Sequence, residues 1–105
     1  MNMKFSLDQK KFGTEDLLTK IVKNWLDLQL DVAYYKASDR YSKGISDIIA
    51  CVNGRMVCIE LKAEYYKPTP QQLDFIRAFK GVGAIAGVCY TLGEVKALVD
   101  EARKA

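Results

Sequence analysis

The 105-residue sequence contains no histidine. That absence removes the commonest general base and the commonest imidazole metal ligand. Cysteine is scarce. There are three, an odd number without a CxxC spacing, which argues against both a disulfide framework and a zinc site. Cys51, Cys58 and Cys89 lie within apolar runs and read as buried thiols acting as small hydrophobes. Proline is rarer still, and neither linkers, repeats nor low-complexity tracts are present. No run of eighteen apolar residues and no secretory h-region occurs, so the reading is an intracellular, cytoplasmic protein with no membrane partner.

Half of the residues are hydrophobic and 28% are charged. This is the composition of an ordinary folded protein, and the length predicts one domain spanning residues 1–105. The net charge is +3. Glu15, Asp47, Glu60 and Lys62 together carry −2, so the rest of the chain carries +5. A basic surface around an acidic centre suits a metal-using nuclease, in which cations hold phosphate and carboxylates hold metal, although charge alone fits an ordinary solvated surface better.

The hydrophobic spacing divides the chain into elements. Ser6 with Gln9 forms an S-x-x-Q pattern that can start a helical turn. Leu18, Ile21, Val22, Trp25 and Leu26 mark one face of a helix from Glu15 to about Leu28, with Thr14 as N-cap. Glu15 falls on the inward stripe of that helix. Strands are predicted at Val32–Ala37, Ile45–Val52, Arg55–Ala63 and Ala84–Tyr90. Thr69-Pro70-Gln71-Gln72 opens a second helix, with Thr69 as N-cap, Pro70 at the first position and Gln72 closing a capping box. Thr91 with Glu94 opens a third. The order α-β-β-β-α-β-α, with strands that barely alternate in polarity, implies an α/β sandwich around a mixed central sheet.

Between the second and third strands stands Asn53-Gly54, the strongest short hairpin signal. A two-residue turn there pairs Val52 with Arg55 and, counting back, Ile48 with Ile59 and Asp47 with Glu60. Residues directly opposite share a face, and Lys62 lies two further along on that same face. Two carboxylates and an ammonium therefore meet on one patch. Like charges across a sheet repel, and burial makes this worse. A raised pKa, the Lys62 counter-charge or a shared divalent cation would each offset the repulsion. Oxygen ligands without His or Cys favour Mg²⁺ or Mn²⁺. A slipped register would put Asp47 on the wrong face.

Gly44-Ile45-Ser46-Asp47 followed by Glu60-Leu61-Lys62 resembles the P-D…(D/E)-x-K signature of the restriction-endonuclease-like superfamily. Glu15, the Thr69-Pro70-Gln71-Gln72 opening and Gly83-Ala84 leading into Val88-Cys89-Tyr90 are similar to its VRR-NUC branch. The likeness runs from about Thr14 to Val95. One departure is Ser46, where the family carries proline.

The resemblance implies a restriction-endonuclease-like fold and hydrolysis of DNA phosphodiester bonds with Mg²⁺ or Mn²⁺. On that basis Asp47, Glu60 and the Leu61 carbonyl would ligate the metal, and Glu15 would contact it through water or hold a second ion. Lys62 would act on the attacking water or on the developing phosphorane charge, and Gln72 would orient the site. Arg40, Lys43 and Gly44, in the loop before the catalytic strand, and Lys67, before the second helix, are the candidates for holding the DNA backbone. Tyr65 and Tyr66 could stack on an unpaired base, although half-buried packing or a subunit contact is the stronger expectation for them. Stand-alone members of the family resemble Holliday-junction resolvases acting as homodimers on branched DNA, and a phage or mobile-element source would fit so small a nuclease. Two readings compete: a nuclease-fold protein that binds DNA without cleaving it, and an α/β interaction domain without nucleic acid in which the charged cluster is a structural ion pair.

Overall fold

A computed structural model describes residues 6–37 and 44–104. After a 3-10 turn at Leu7–Gln9, the chain runs α1 (Glu15–Asp27), β1 (Val32–Lys36), β2 (Ile48–Val52), β3 (Arg55–Leu61), α2 (Pro70–Gly81), β4 (Ile85–Cys89) and α3 (Leu92–Arg103). The strands form one mixed sheet in the order β1-β2-β3-β4. The first two pairings are antiparallel and β3 pairs with β4 in parallel. A parallel neighbour cannot be reached by a tight turn, and α2 supplies the crossover. The expected α/β sandwich with a mixed sheet is the observed fold.

The hairpin sets the register on which the site depends. Asn53 and Gly54 both have positive φ, at 53° and 77°. That is the geometry of a primed two-residue turn, whose twist matches the strands it joins. Val52 pairs with Arg55 and Ile48 with Ile59, as the two-residue loop requires.

One face of the sheet holds the main core. Ile48, Ala50, Val52, Val57, Ile59 and Leu61 pack with Leu18, Val22 and Leu26 of α1 and with Val95, Val99 and Ala102 of α3. Leu18, Val22 and Leu26 recur every four residues, so one stripe of α1 is buried and the rest stays wet. On the other face Cys58, Ile76 and Ala86 form a smaller cluster with Phe75, Phe79 and Val88. Phe75 and Phe79 stack at 4.4 Å between centroids.

Local chemistry fixes the helix starts. Thr14 accepts from the Leu17 N–H at 3.5 Å. At α2 the Thr69 hydroxyl accepts from the Gln72 N–H at 3.1 Å, while the Gln72 carboxamide accepts from the Thr69 N–H at 2.8 Å. Both halves of the capping box are therefore made. Thr91 accepts from the Glu94 N–H, but Glu94 reaches the Tyr90 N–H instead of closing on Thr91. The S-x-x-Q segment is not a capping box either, because Ser6 accepts from the Asp8 N–H over a single 3-10 turn.

Further sequence expectations need correction, and β1 and β4 are each shorter than predicted, at Val32–Lys36 and Ile85–Cys89. The second strand begins at Ile48, not Ile45, and the third ends at Leu61, not Ala63. Cys51 is exposed, not buried, because α2 lies over β3 and β4 and leaves that side of β2 open. No helix among the described residues is long and apolar enough to cross a membrane.

Candidate active site

The site forms where the β2–β3 ladder runs out. Asp47 immediately precedes β2, and Glu60 is the penultimate residue of β3. With Ile48 opposite Ile59, the next position brings Asp47 level with Glu60. A side chain finishes what the backbone ladder leaves open. The Leu61 N–H donates to Asp47 Oδ2 at 2.7 Å. The following N–H, of Lys62, donates to the Cys89 carbonyl at 3.0 Å. Successive amides of a strand point to opposite edges, so Leu61 presents its peptide groups toward β2 and Asp47.

Glu60 is only 1% exposed, and among the described residues no hydrogen-bond donor reaches either of its carboxylate oxygens. The Lys62 ammonium lies 3.6 Å from Glu60 Oε2 and 3.9 Å from Glu15 Oε2. These are ion pairs beyond hydrogen-bond length. Burial, then the neighbouring Asp47 charge, and then a hydrogen bond that the protonated acid makes to the Asp47 carboxylate push the Glu60 carboxyl up to about 8. Glu15 is raised as well, first by burial and with Asp47 adding to it, while Lys62 pulls the other way. The cluster is short of positive charge, as the pairing of two acids across a hairpin implies.

That shortage fits a hard divalent cation. Two buried oxygens without donors, an Asp47 carboxylate with one oxygen tied down, and a strand-end carbonyl form an all-oxygen donor set. Among the described residues, however, no three acidic or cysteine side chains gather closely enough to hold an ion by themselves. Glu15 is directed at Lys62, with its side chain still 43% exposed. An ion held by Asp47 and Glu60 would complete its shell with water, backbone or substrate oxygens, the usual situation of Mg²⁺.

The other sequence candidates fall into three groups. Gln72 is half-buried, with its carboxamide oxygen committed to the Thr69 N–H, so the capping role is the one the geometry displays. Arg40 and Lys43 lie outside the described residues. Gly44 has φ 90°, and a Cβ there would stand 2.7 Å from the Gln71 carbonyl oxygen. The segment leading to Asp47 is therefore pressed against the start of α2, at a spot only glycine fits. Lys67 is exposed and, with Lys11, Glu64, Tyr65, Tyr66 and Tyr90, lines a cavity of about 200 Å³.

Sequence reasoning missed two features. The side chain of Ser46, just before Asp47, is buried, and its hydroxyl has no partner among the described residues. A second cavity of about 220 Å³, lined by Gly13, Thr14, Glu15, Ala63 and Tyr66, opens beside Glu15. The small residues Gly13, Thr14 and Ala63 were the available signal. Tyr65 and Tyr66, expected to be half-buried, are 91% and 63% exposed.

Neither a family model nor a curated protein matches the sequence. Among solved structures, one described as "VRR_NUC domain" is similar over 82% of this chain and 94% of its own, with a TM-score of 0.67 and 26% sequence identity.

Proposed function

We propose that this chain, a VRR-NUC-type domain with the restriction-endonuclease-like fold, is a metal-dependent endodeoxyribonuclease acting on branched DNA such as Holliday junctions. The observation that carries the reading is the pairing of Asp47 with a buried Glu60 whose oxygens have no donors, beside Lys62. A purely structural ion pair would satisfy its buried acid. This cluster brings it no donor among the described residues and sets it against a second acid, which suits a cation.

Asp47, Glu60 and the Leu61 carbonyl would hold Mg²⁺ or Mn²⁺, with Glu15 reaching it through water. When bound, the ion supplies Lewis acidity toward the phosphoryl oxygen and lowers the pKa of water. Lys62 supplies fixed positive charge where negative charge builds on the phosphorus oxygens. Burial of the Lys62 stem and its two acidic neighbours hold that ammonium in place. Glu15 and Glu60 keep it oriented, and Asp47 is itself fixed by the Leu61 N–H. Gln72 secures the start of α2, against which the Gly44 segment rests. Arg40, Lys43, Gly44 and Lys67 are the proposed backbone contacts to DNA. A homodimer would bring two such sites to two strands of a junction.

The test is cleavage of four-way junctions, flaps and linear duplex with Mn²⁺, Mg²⁺ or EDTA, using Asp47→Asn as the control. Metal-dependent product from the parent alone supports the reading. Binding without product in any metal would return the protein to the non-cleaving alternative.

A further inference from the structure

We propose that Tyr65 and Tyr66 form a stacking site for one unpaired nucleobase of the DNA substrate, beside the acidic cluster. This rests on the nuclease reading and names the feature of the substrate that the site would recognise.

The argument begins with the backbone. The Tyr66 N–H donates to the Ala63 carbonyl at 3.1 Å, closing a four-residue turn. Its third residue, Tyr65, has φ 73°. That position of a turn asks for glycine or asparagine, and a bulky aromatic there is strained. The ring gains no burial in compensation, being 91% exposed. Tyr66 is 63% exposed, and among the described residues neither ring stacks on another. Strain held at an exposed aromatic is a cost without a structural return, which is the pattern of a binding site.

The turn is also rigidly braced. The Glu64 N–H donates to the Phe12 carbonyl at 2.8 Å, and the Tyr90 hydroxyl donates to the Tyr66 carbonyl at 2.7 Å. The cavity it lines, about 200 Å³, is below the usual drug-sized range and suits a single planar ring. Lys11 and Lys67 outweigh Glu64 on its walls, which favours a phosphate-bearing ligand. Tyr66 lines this cavity and also the one beside Glu15. Glu15 in turn pairs with Lys62. A base held by the tyrosines therefore leaves its own strand next to the cluster that would act on the phosphate. Aromatic rings accept any base by its π-face, so the site reads the absence of pairing and not sequence.

The test uses two metal-free DNA duplexes in EDTA, each carrying one 2-aminopurine. In one the fluorescent base is an unpaired bulge, and in the other it is paired. The full chain is compared with Y65A/Y66A, Y65F/Y66F and Tyr65→Gly. The alanine pair should weaken binding to the bulged DNA by about 10- to 100-fold and leave the paired duplex nearly unchanged. The phenylalanine pair, which keeps the rings, should bind the bulge like the parent. Tyr65→Gly should weaken bulge binding while raising the melting temperature by roughly 4 °C, because it relieves the strained turn. Equal losses on both DNAs, an unaffected bulge, or a change of sedimentation in the alanine pair (the mark of a subunit contact) would overturn the proposal. The two readings fail separately. Tyrosine-dependent bulge binding without cleavage in any metal would leave the base site standing and remove the nuclease, and cleavage indifferent to the tyrosines would do the reverse.

Discussion

Replacing Glu60 with Gln should make the metal-free protein more stable at neutral and alkaline pH. The carboxyl is buried, no donor among the described residues reaches its oxygens, and Asp47 stands beside it. Its pKa is raised from 4.5 to about 8. The sign follows from linkage. Below the unfolded value Glu60 is protonated in both states and contributes nothing. As pH rises from there the unfolded chain ionises first, so folding is increasingly penalised until the folded carboxyl also ionises near 8. Each unit is worth about 1.4 kcal/mol, so the penalty at pH 7 is on the order of 3 kcal/mol. Glutamine keeps the shape, removes the charge and places an amide next to the Asp47 carboxylate. For a chain of this length, the gain corresponds to roughly 14 °C in melting temperature. The assay is thermal unfolding of parent and Glu60→Gln in EDTA from pH 4 to 9, followed by the same comparison with Mn²⁺ added. The variant should pull ahead of the parent as pH rises and match it near pH 4, and the ion should stabilise only the parent. A variant less stable than the parent at pH 8, or a gain indifferent to pH, would refute the electrostatic account of the site.

Asp47→Asn should abolish metal-dependent cleavage with little loss of stability, because its amide oxygen can still accept from the Leu61 N–H. Asp47→Ala should instead destabilise by about 1–3 kcal/mol by orphaning that N–H, a difference that urea titration of the two variants would expose. Gly44→Ala meets the Gln71 backbone at 2.7 Å with φ 90°, and should cost at least about 1–2 kcal/mol in unfolding measurements. Asp31→Asn tests a surface pair: the Arg103 guanidinium, bonded to Asp31 at 2.8 Å, holds that carboxyl below its usual value. Its contribution should be present above the ordinary carboxylate range and vanish as pH falls through the lowered pKa, so parent and variant should converge in acid.

The element order and the hairpin register were legible because they depend on local chemistry. Asn53-Gly54 takes its two positive φ angles nearly regardless of context, and the pairing of Ile48 with Ile59 then follows by counting. The α2 capping box was legible for the same reason. What could not be read depends on distant parts of the chain. The exposure of Cys51 reflects how far α2 extends across the sheet, which its sequence does not encode. The partner of Glu15 depends on where α1 crosses the end of β3, and it proved to be Lys62. The left-handed Tyr65 violates the local preference outright, so no propensity argument would find it.

Asp47 shows why such a cluster can sit in so small a fold without unravelling its sheet. Strand ends leave amides unpaired, and a buried orphan is expensive. Here one oxygen of Asp47 takes the Leu61 N–H that the ladder leaves over. The same bond fixes the carboxylate in orientation, and its charge lies near enough to Glu60 to raise that carboxyl. Fixing a ligand through structure removes the entropy that a free side chain would lose on binding an ion. On the proposed reading, one oxygen of Asp47 completes the sheet and the other is left for an ion. Asparagine can carry the first duty and not the second, which is why Asp47→Asn separates them: a variant that folds like the parent yet still gains stability from Mn²⁺ would show that the ion is held elsewhere.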